Sequence, residues 1–364
     1  MENNLLNKKK QKFGIYEAAL ATLLFIIYNF IFSVFYTLLP DWFAENTVVN
    51  FVANFLLSLT FALTALTVAC TRKIDFLQAT GIKKKKINGK MIWLCFWISL
   101  VSIIGFGDIT TLFMEILYAC GYESVLPSMV VDSFWKYLGY VVVTCVTPAV
   151  CEEILFRGTI LSGLKQYGAK IAVFVSALIF MLMHGNAEQT IHQLIVGILI
   201  GYVFFKSGNL WLGVLIHFFN NFIAISANYF VSLFSKGGEV VESTTVALTV
   251  PELIYSIIST AVFVAFGYYL VKLLVNSLLK EDERLNSVSQ ESLKLQSITV
   301  DGEEKVVEMV IEGEAVAIES SEEVEENAQE KKEPVKTSTV VMFALAGLYL
   351  VANWLIALLA GLGV

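Results

Sequence analysis

Charged residues are scarce in this chain. They make up 16% of its 364 residues, whereas soluble domains carry about 25%. Hydrophobic residues reach 57%, and the mean hydropathy is +0.71. This balance excludes an ordinary soluble globular protein. The hydrophobic excess falls in runs of about 20 residues, the length of helix that crosses a hydrocarbon core of about 30 Å. The sequence therefore predicts a polytopic membrane protein.

Histidine and cysteine are also rare, with three and five copies respectively. No C-x-x-C or H-E-x-x-H pattern occurs, which argues against a paired-cysteine motif and the commonest zinc-protease helix. We interpret the cysteines as small apolar residues buried in or beside the spans. The sequence also has no Walker loop, Rossmann glycine pattern or internal repeat. Its charge pattern gives no indication of a nucleic-acid partner.

Nine hydrophobic stretches are candidate spans. Because lipid cannot satisfy backbone hydrogen bonds, we predict helices and not the short alternating segments of a barrel. The predicted fold class is all-α, a polytopic transmembrane helical bundle with about eight core spans plus one C-terminal span. The fifth and sixth stretches are short enough to be tilted or incomplete crossings. The stretches are residues 16–39, 48–70, 91–118, 134–163, 169–184, 190–205, 209–234, 252–275 and 338–361.

The basic residues predict how this bundle is oriented. Lysines cluster at positions 8 to 12, before the first span, and at 83 to 86, between the second and third. The intervening loop carries Asp41 and Glu45 and no basic residue. By the positive-inside rule the N-terminus is cytoplasmic, and alternation of the spans then places the C-terminus outside. We expect a multi-pass protein of the cell membrane.

An acidic segment separates the last span from the others. Between Lys280 and Lys336 the chain has 17 acidic and 7 basic residues, a balance of −10, and such a sequence is too charged to pack well. We predict a transmembrane core at 1–279, a largely flexible acidic cytoplasmic segment at 280–337 and a C-terminal transmembrane helix at 338–364. Alternating apolar and polar residues around Asp301-Gly302 are also compatible with a small β-hairpin.

Ionisable residues inside the spans are few, and such residues usually mark function. The stretch TPAVCEEILFRG contains Glu152, Glu153 and Arg157, while His184 and His217 fall in other apolar runs. Glu153 and Arg157 are four residues apart, so they share one helix face and can form an ion pair. Glu152 is turned about 100° away from Glu153 and is left free for chemistry.

A second helical pair, His217 and Asn221, is also separated by four residues. Counted from the basic ends of their helices, Glu152, His184 and His217 lie at comparable depths, roughly 12 to 21 Å at 1.5 Å per residue. Taken singly, each polar residue has a structural interpretation, as a helix-bridging ion pair, a core histidine or a packing amide. Their joint arrangement favours a site. The third histidine, His192, falls in a short polar connection and is interpreted as a loop residue.

Three motifs in this region resemble one known family, the CAAX prenyl endopeptidase and bacteriocin-processing (CPBP, or Abi) intramembrane proteases. The family pattern is E-E-x-x-x-R, then F-x-x-x-H, then H-x-x-x-N on successive transmembrane helices. The matching residues here are Glu152, Glu153 and Arg157, then Phe180 and His184, then His217 and Asn221. The resemblance covers roughly residues 130–230, and the first three spans, the acidic segment and the last span lie outside it. It implies an eight-helix core and endopeptidase activity within the membrane.

Peptide hydrolysis needs an activated water and hydrogen-bond donors for the oxyanion. We expect Glu152 to act as general base, because burial tunes a carboxylate towards that role, and His184 to orient the water. His217 and Asn221 are expected to present donors to the oxyanion. The family resemblance implies the same division of roles.

The Glu153–Arg157 pair is expected to support this site without taking part in the chemistry. A metal mechanism is the alternative that the sequence leaves open, because Glu152, His184 and His217 could together hold zinc. Against zinc, asparagine is a poor ligand and no third histidine lies at membrane depth. No cofactor is favoured.

The sequence therefore favours an intramembrane endopeptidase acting on a membrane-associated protein or peptide. Its substrate would be of the CAAX type or the bacteriocin and peptide-maturation type. Two alternatives come from other classes: a non-catalytic immunity or partner protein of the same fold, and a proton-coupled transporter. No inverted repeat supports the transporter, and the complete set of polar residues argues against a decayed enzyme. The expected partners are membrane lipid and a peptide or membrane-protein substrate, and the sequence does not specify an oligomeric state.

Overall fold

The structure, a computed structural model, describes residues 12–40, 46–83, 86–124, 131–234, 250–295, 309–311, 314–316 and 335–363. The helices are α1 (Ile15–Thr37), α2 (Thr47–Arg72), α3 (Phe76–Ala79), α4 (Gly89–Ala119), α5 (Phe134–Tyr167), α6 (Ala169–Met183), α7 (Thr190–Ser207), α8 (Leu210–Phe234), α9 (Val250–Leu295) and α10 (Thr337–Gly361). Two short antiparallel strands, β1 (Met309–Ile311) and β2 (Glu314–Val316), form a hairpin.

Eight helices in the described part of the chain are long and apolar enough to cross a membrane, namely α1, α2, α4, α5, α7, α8, α9 and α10. This confirms the predicted all-α polytopic transmembrane bundle. Helix α6, which corresponds to the fifth predicted span, is too short to cross a membrane upright. Its 15 residues extend about 22 Å, less than a hydrocarbon core of about 30 Å. The short fifth hydrophobic stretch had indicated such an incomplete crossing.

Helix α5 changes its winding along its length. Residues Val141–Val146 and Ile154–Leu161 are π-helical, and the α-helical segment Thr147–Glu153 lies between them. Side-chain hydroxyls help to satisfy the wider turns, because Thr147 and Thr159 each donate to the carbonyl five residues earlier, at 2.9 and 3.1 Å. Stretches of π-helix are rare and often occur at functional sites. Here they flank the two adjacent glutamates.

Two apolar clusters pack the bundle on either side of α8. One brings α1, α5 and α6 together through residues such as Phe25, Phe156 and Phe180. The other joins α4, α7 and α9 through residues such as Met91 and Val203. Lipid tails are as apolar as these side chains, so close packing and hydrogen bonds stabilise such a bundle more than burial from water does. The polar residues of α5 and α8 lie between the two clusters.

Helix α9 continues beyond its hydrophobic stretch, and the core boundary predicted at residue 279 falls inside it. Glu281 and Asp282 are buried. Glu281 accepts hydrogen bonds from Asn88 Nδ2 at 2.7 Å and Lys90 Nζ at 2.9 Å, and Asp282 accepts one from Asn209 Nδ2 at 2.9 Å. The first residues of the acidic segment therefore dock against the ends of the transmembrane helices.

Several sequence predictions fall outside the described residues. The acidic segment is described only at the end of α9, at residues 335–337 and in the hairpin. The hairpin lies after Asp301-Gly302 and pairs Met309 with Val316. The remaining undescribed features are the lysines at 8 to 10 and at 84 and 85, the acidic residues Asp41 and Glu45, and the Asp301-Gly302 pair itself.

The last helix, α10, packs along the core. Near its middle, Ala346 and Leu350 are buried. Near its end, Trp354 Nε1 donates to Thr190 Oγ1 at 2.8 Å, and the Gly361 carbonyl accepts from the Glu123 backbone N–H at 2.6 Å. These contacts attach α10 to the start of α7 and to the segment after α4.

The cysteines only partly follow the prediction that all are buried. Cys95, Cys145 and Cys151 are buried, whereas Cys70 and Cys120 are exposed. The physical reason is their position, because Cys70 lies in the last turn of α2 and Cys120 caps the C-terminus of α4.

Candidate active site

A fully buried ion pair lies at the centre of the bundle. Arg157 Nη1 donates to Glu153 Oε1 at 2.8 Å, and both side chains are 0% exposed, which confirms the pairing predicted from their spacing. Arg157 Nη2 also donates to the Gly197 carbonyl of α7 at 3.1 Å, and its guanidinium lies 4.6 Å from the centroid of the Phe180 ring. A buried charge left without partners would cost several kcal/mol. The pair therefore ties α5 to both α6 and α7.

His217 joins this pair, a contact that the sequence did not predict. Its Nδ1 lies 2.9 Å from Glu153 Oε1, and because a carboxylate only accepts, Nδ1 carries the hydrogen. The other ring nitrogen, Nε2, lies 3.9 Å from Glu152 Oε2, too far for a hydrogen bond. His217 is therefore held by one glutamate and turned towards the other.

Glu152 differs from its neighbour in its surroundings. Its side chain is 12% exposed and lines a cavity of about 420 Å³. Its Oε2 atom, like Glu153 Oε2, has no hydrogen-bond partner among the described residues, but only the Glu152 side chain lines the cavity. A carboxylate oxygen that is screened from bulk solvent but faces a cavity can accept a proton from a bound molecule. The two adjacent glutamates thus have opposite environments, one locked in an ion pair and one open.

His184 reaches the same cavity from the end of the short helix α6, where it is the C-cap residue. Its Nδ1 lies 2.8 Å from the Phe180 carbonyl. Because a carbonyl only accepts, Nδ1 carries the hydrogen and Nε2 of the neutral ring is an acceptor. The following residue, Gly185, has a φ of +60°, which favours glycine and turns the chain away directly after the histidine.

Asn221 also lines the cavity, and its amide has a backbone partner. Asn221 Nδ2 donates to the Thr144 carbonyl at 2.9 Å. That carbonyl lies four residues before Pro148, which has no N–H to donate to it. Unsatisfied backbone groups are strongly unfavourable in a membrane. The Asn221 amide therefore supplies the hydrogen bond that Pro148, four residues before Glu152, cannot donate.

The structure thus brings all four predicted catalytic residues, Glu152, His184, His217 and Asn221, to one cavity. The supporting pair lies directly behind it. Three further amide residues line the same cavity, namely Asn54 on α2 and Gln189 and Gln193 at the start of α7. Sequence reasoning missed all three, although an amide in an apolar run is the kind of signal that could have identified Asn54 and Gln193.

The interpretation of His192 as a loop residue is wrong. His192 lies in the first turn of α7, and its Nε2 donates to Asn220 Oδ1 at 2.9 Å. In the sequence, a polar residue at the start of a helix looks like part of a loop. Here the hydrogen bond to Asn220 on α8 stabilises His192 within the helix. The Asn220 side chain therefore contacts α7, whereas the neighbouring Asn221 lines the cavity.

Gly213 allows the close approach of α8 to Glu153. A Cβ at this position would lie 2.9 Å from Ile200 Cγ2 and 3.1 Å from Glu153 Oε2. His217 follows one helical turn later on the same face. The absence of a side chain at 213 therefore permits the contact between His217 and Glu153.

The candidate zinc ligands do not form a metal-binding cluster. Within the described residues, no group of three or more His, Cys, Asp and Glu side chains could hold a metal ion. The structure therefore gives no support to Glu152, His184 and His217 as a three-ligand zinc site.

Part of the chain is similar to a known protein family. Residues 133–223 match the family model described as "Type II CAAX prenyl endopeptidase Rce1-like". That range contains all three sequence motifs and every residue of the cluster described above. No curated protein and no solved structure matches the chain.

Proposed function

We propose that the protein is an intramembrane endopeptidase that uses Glu152 as its general base. Residues 133–223 are similar to the family of Rce1-like type II CAAX prenyl endopeptidases, which supports this proposal. The family match supports an intramembrane endopeptidase of the CAAX type in general. The more specific proposal depends on one observation. Glu152 is open to a cavity that also contains His184, while Glu153 is locked behind it.

The proposed reaction begins with a water molecule between Glu152 and His184. The Glu152 carboxylate accepts one hydrogen of this water, and the Nε2 lone pair of His184 accepts the other. The water oxygen is then free to attack the carbonyl carbon of the scissile peptide. As the new C–O bond forms, Glu152 takes the proton, and it passes this proton to the leaving nitrogen when the C–N bond breaks.

The oxyanion formed in this step needs hydrogen-bond donors. His217 can donate from Nε2 only as an imidazolium, because its Nδ1–H is directed at Glu153. One guanidinium, one imidazolium and two carboxylates then sum to zero charge, which favours such a cluster away from water. Asn221 has a second amide hydrogen besides the one given to Thr144, and this hydrogen is available to the oxyanion.

The proposed substrate is a membrane-associated peptide or protein, because the cavity lies within the span region of the bundle. Membranes from cells producing the wild-type chain and from cells producing Glu152→Gln can be compared by mass spectrometry of new peptide termini. We expect a set of termini that is present with the wild type and missing with the variant. Identical termini, with both proteins inserted at equal levels, would favour the non-catalytic partner.

A further inference from the structure

A second cavity adjoins the catalytic one. It has a volume of about 430 Å³ and lies between α1, α2 and α10. Asn54, Leu57 and Met183 line both cavities, so the two spaces share a wall. Met183 immediately precedes His184, which places this second cavity next to the catalytic histidine. We call it the amide chamber, after the side chains of Asn29, Asn54 and Asn353 that line it.

Much of the hydrogen-bonding capacity in the chamber is unused. Asn29 and Asn54 donate from Nδ2 to the backbone carbonyls of Phe25 and Asn50, at 3.1 and 2.8 Å, and Asn29 Nδ2 also donates to Thr60 Oγ1 at 3.5 Å. Their Oδ1 atoms accept no hydrogen bond within the described residues. The Asn353 side chain on α10 makes none at all within the same ranges.

Three primary amides line this one chamber. Asn54 and Asn353 are exposed and Asn29 is half-buried. In a membrane such accessible amides face either the cavity or lipid tails, and lipid tails offer no hydrogen-bond partner. The other lining residues include Phe30 and Leu350, which give the chamber an apolar wall. An extended peptide matches this combination, since it presents an N–H and a C=O at every residue together with side chains. An isoprenoid chain would leave the amides unsatisfied.

Helix α10 also contacts the connection between α6 and α7, which begins directly after His184. A Cβ on Gly185 would lie 2.6 Å from Asn353 Nδ2, and Trp354 donates to Thr190 on the far side of the same loop. The residue that completes the amide chamber therefore lies against the turn that follows His184. A substrate segment in the chamber would therefore lie next to the turn that follows His184.

We propose that the amide chamber binds the extended backbone of the substrate on one side of the scissile bond, and that Asn353 of α10 is a specificity-determining residue. The proposal rests on the proposed endopeptidase function. It assigns a binding role to the last transmembrane helix, which lies outside the family-matched region.

A kinetic experiment tests the role of Asn353. The full-length protein in lipid nanodiscs is given a quenched fluorescent decapeptide ending in a farnesylated CAAX sequence, and the unmodified decapeptide in parallel. Asn353→Leu should raise KM by about 3- to 10-fold, the loss of one or two hydrogen bonds, and leave kcat within about twofold. Asn276→Leu is the matched control. Asn276 is an exposed amide on α9 that lines neither cavity. The KM of the Asn276→Leu variant should therefore equal that of the wild type.

A binding experiment separates this proposal from the proposed function. The Glu152→Gln protein is exposed to farnesylated decapeptides carrying photo-leucine at single positions, and cross-links are mapped by mass spectrometry. Labelling of residues 25–36 or 349–353 from one side of the peptide is expected, even if no peptide is ever cleaved. The proposal is overturned if a photoreactive farnesyl group labels these residues instead, or if peptide cross-links occur only elsewhere. If Asn353→Leu cleaves the peptide with an unchanged KM, Asn353 does not determine specificity.

Discussion

Glu152 and Glu153 are neighbours in the chain, yet packing gives them different tasks. Glu153 accepts from Arg157 and contacts His217, and it is 0% exposed. Glu152 faces the cavity. The spacing of four residues was sufficient to predict which glutamate pairs with the arginine. It could not predict the contact with His217, because that contact depends on how α8 is rotated against α5.

Glu153→Gln should destabilise the protein strongly. The substitution leaves the Arg157 guanidinium buried without its carboxylate, and breaking a buried pair in this way costs about 3–5 kcal/mol. Thermal unfolding in detergent should show a clear drop in Tm for Glu153→Gln and little change for Glu152→Gln. Equal Tm values for the two variants would contradict the environments assigned to them.

Asn221 has a structural task that can be separated from a catalytic one. Asn221→Ala leaves the Thr144 carbonyl without its donor, and an unsatisfied buried group costs about 1–3 kcal/mol. Pro148→Ala restores an N–H that can serve the same carbonyl. In the Pro148→Ala background, Asn221→Ala should therefore destabilise much less, as measured by a double-mutant cycle of unfolding free energies. Additive effects would remove the link between the two residues, and a kcat loss that persists in the double variant would indicate the oxyanion role.

At the scale of elements, the site depends on irregular features of otherwise regular helices. The segment Thr147–Glu153 has the 3.6 residues per turn of an α-helix, whereas Ile154–Leu161 is π-helical. Side chains after Glu153 therefore point in directions different from those that a continuous α-helix would give them. Hydrophobic runs indicated each span because length and apolarity are local properties. The π-helical segments were not predicted, since they arise where neighbouring helices and hydroxyl groups stabilise wider turns.

The approach of α8 to α5 can be tested through Gly213. Gly213→Ala places a methyl group against Ile200 and Glu153, and overpacking of this kind costs about 1–3 kcal/mol. We expect a lower Tm together with reduced cleavage, because His217 moves away from Glu153 when α8 is displaced. Gly107→Ala on α4 is the control, since a Cβ there meets nothing within 4 Å. If both variants behave alike, the close approach at Gly213 does not matter.

At the scale of the whole molecule, one end of the bundle collects the basic residues. Two close glycine contacts bring lysine-bearing segments together. Gly14, two residues after Lys12, lies against Gly163, two residues before Lys165. Gly81, two residues before Lys83, lies against Gly208, two residues after Lys206. Lys165 Nζ lies 4.5 Å from the centroid of the Phe204 ring at this end. We propose that this end is cytoplasmic. The sequence predicted that the basic residues group at one end, because charge asymmetry can be read from the whole chain. It did not predict that Glu281 and Asp282 dock at that end, because their docking depends on individual side-chain contacts.

Two native cysteines test this orientation. Cys70 and Cys120 are both exposed and lie at opposite ends of the bundle, near Arg72 and near Gly361. A membrane-impermeant maleimide should label Cys120 in intact cells and Cys70 only after permeabilisation. Cys70→Ser and Cys120→Ser identify each signal. Labelling of Cys70 alone in intact cells would require the opposite orientation.

The most direct measurement of the central claim is hydrolysis in water enriched in ¹⁸O. Wild-type protein and Glu152→Gln, reconstituted in liposomes, are given the same membrane peptides, and the products are read by mass spectrometry. We predict that the wild type releases fragments whose new carboxylate carries one solvent oxygen, and that Glu152→Gln is slower by about 10²- to 10⁴-fold at unchanged Tm. Cleavage by Glu152→Gln at the wild-type rate would contradict the assignment of Glu152 as the base.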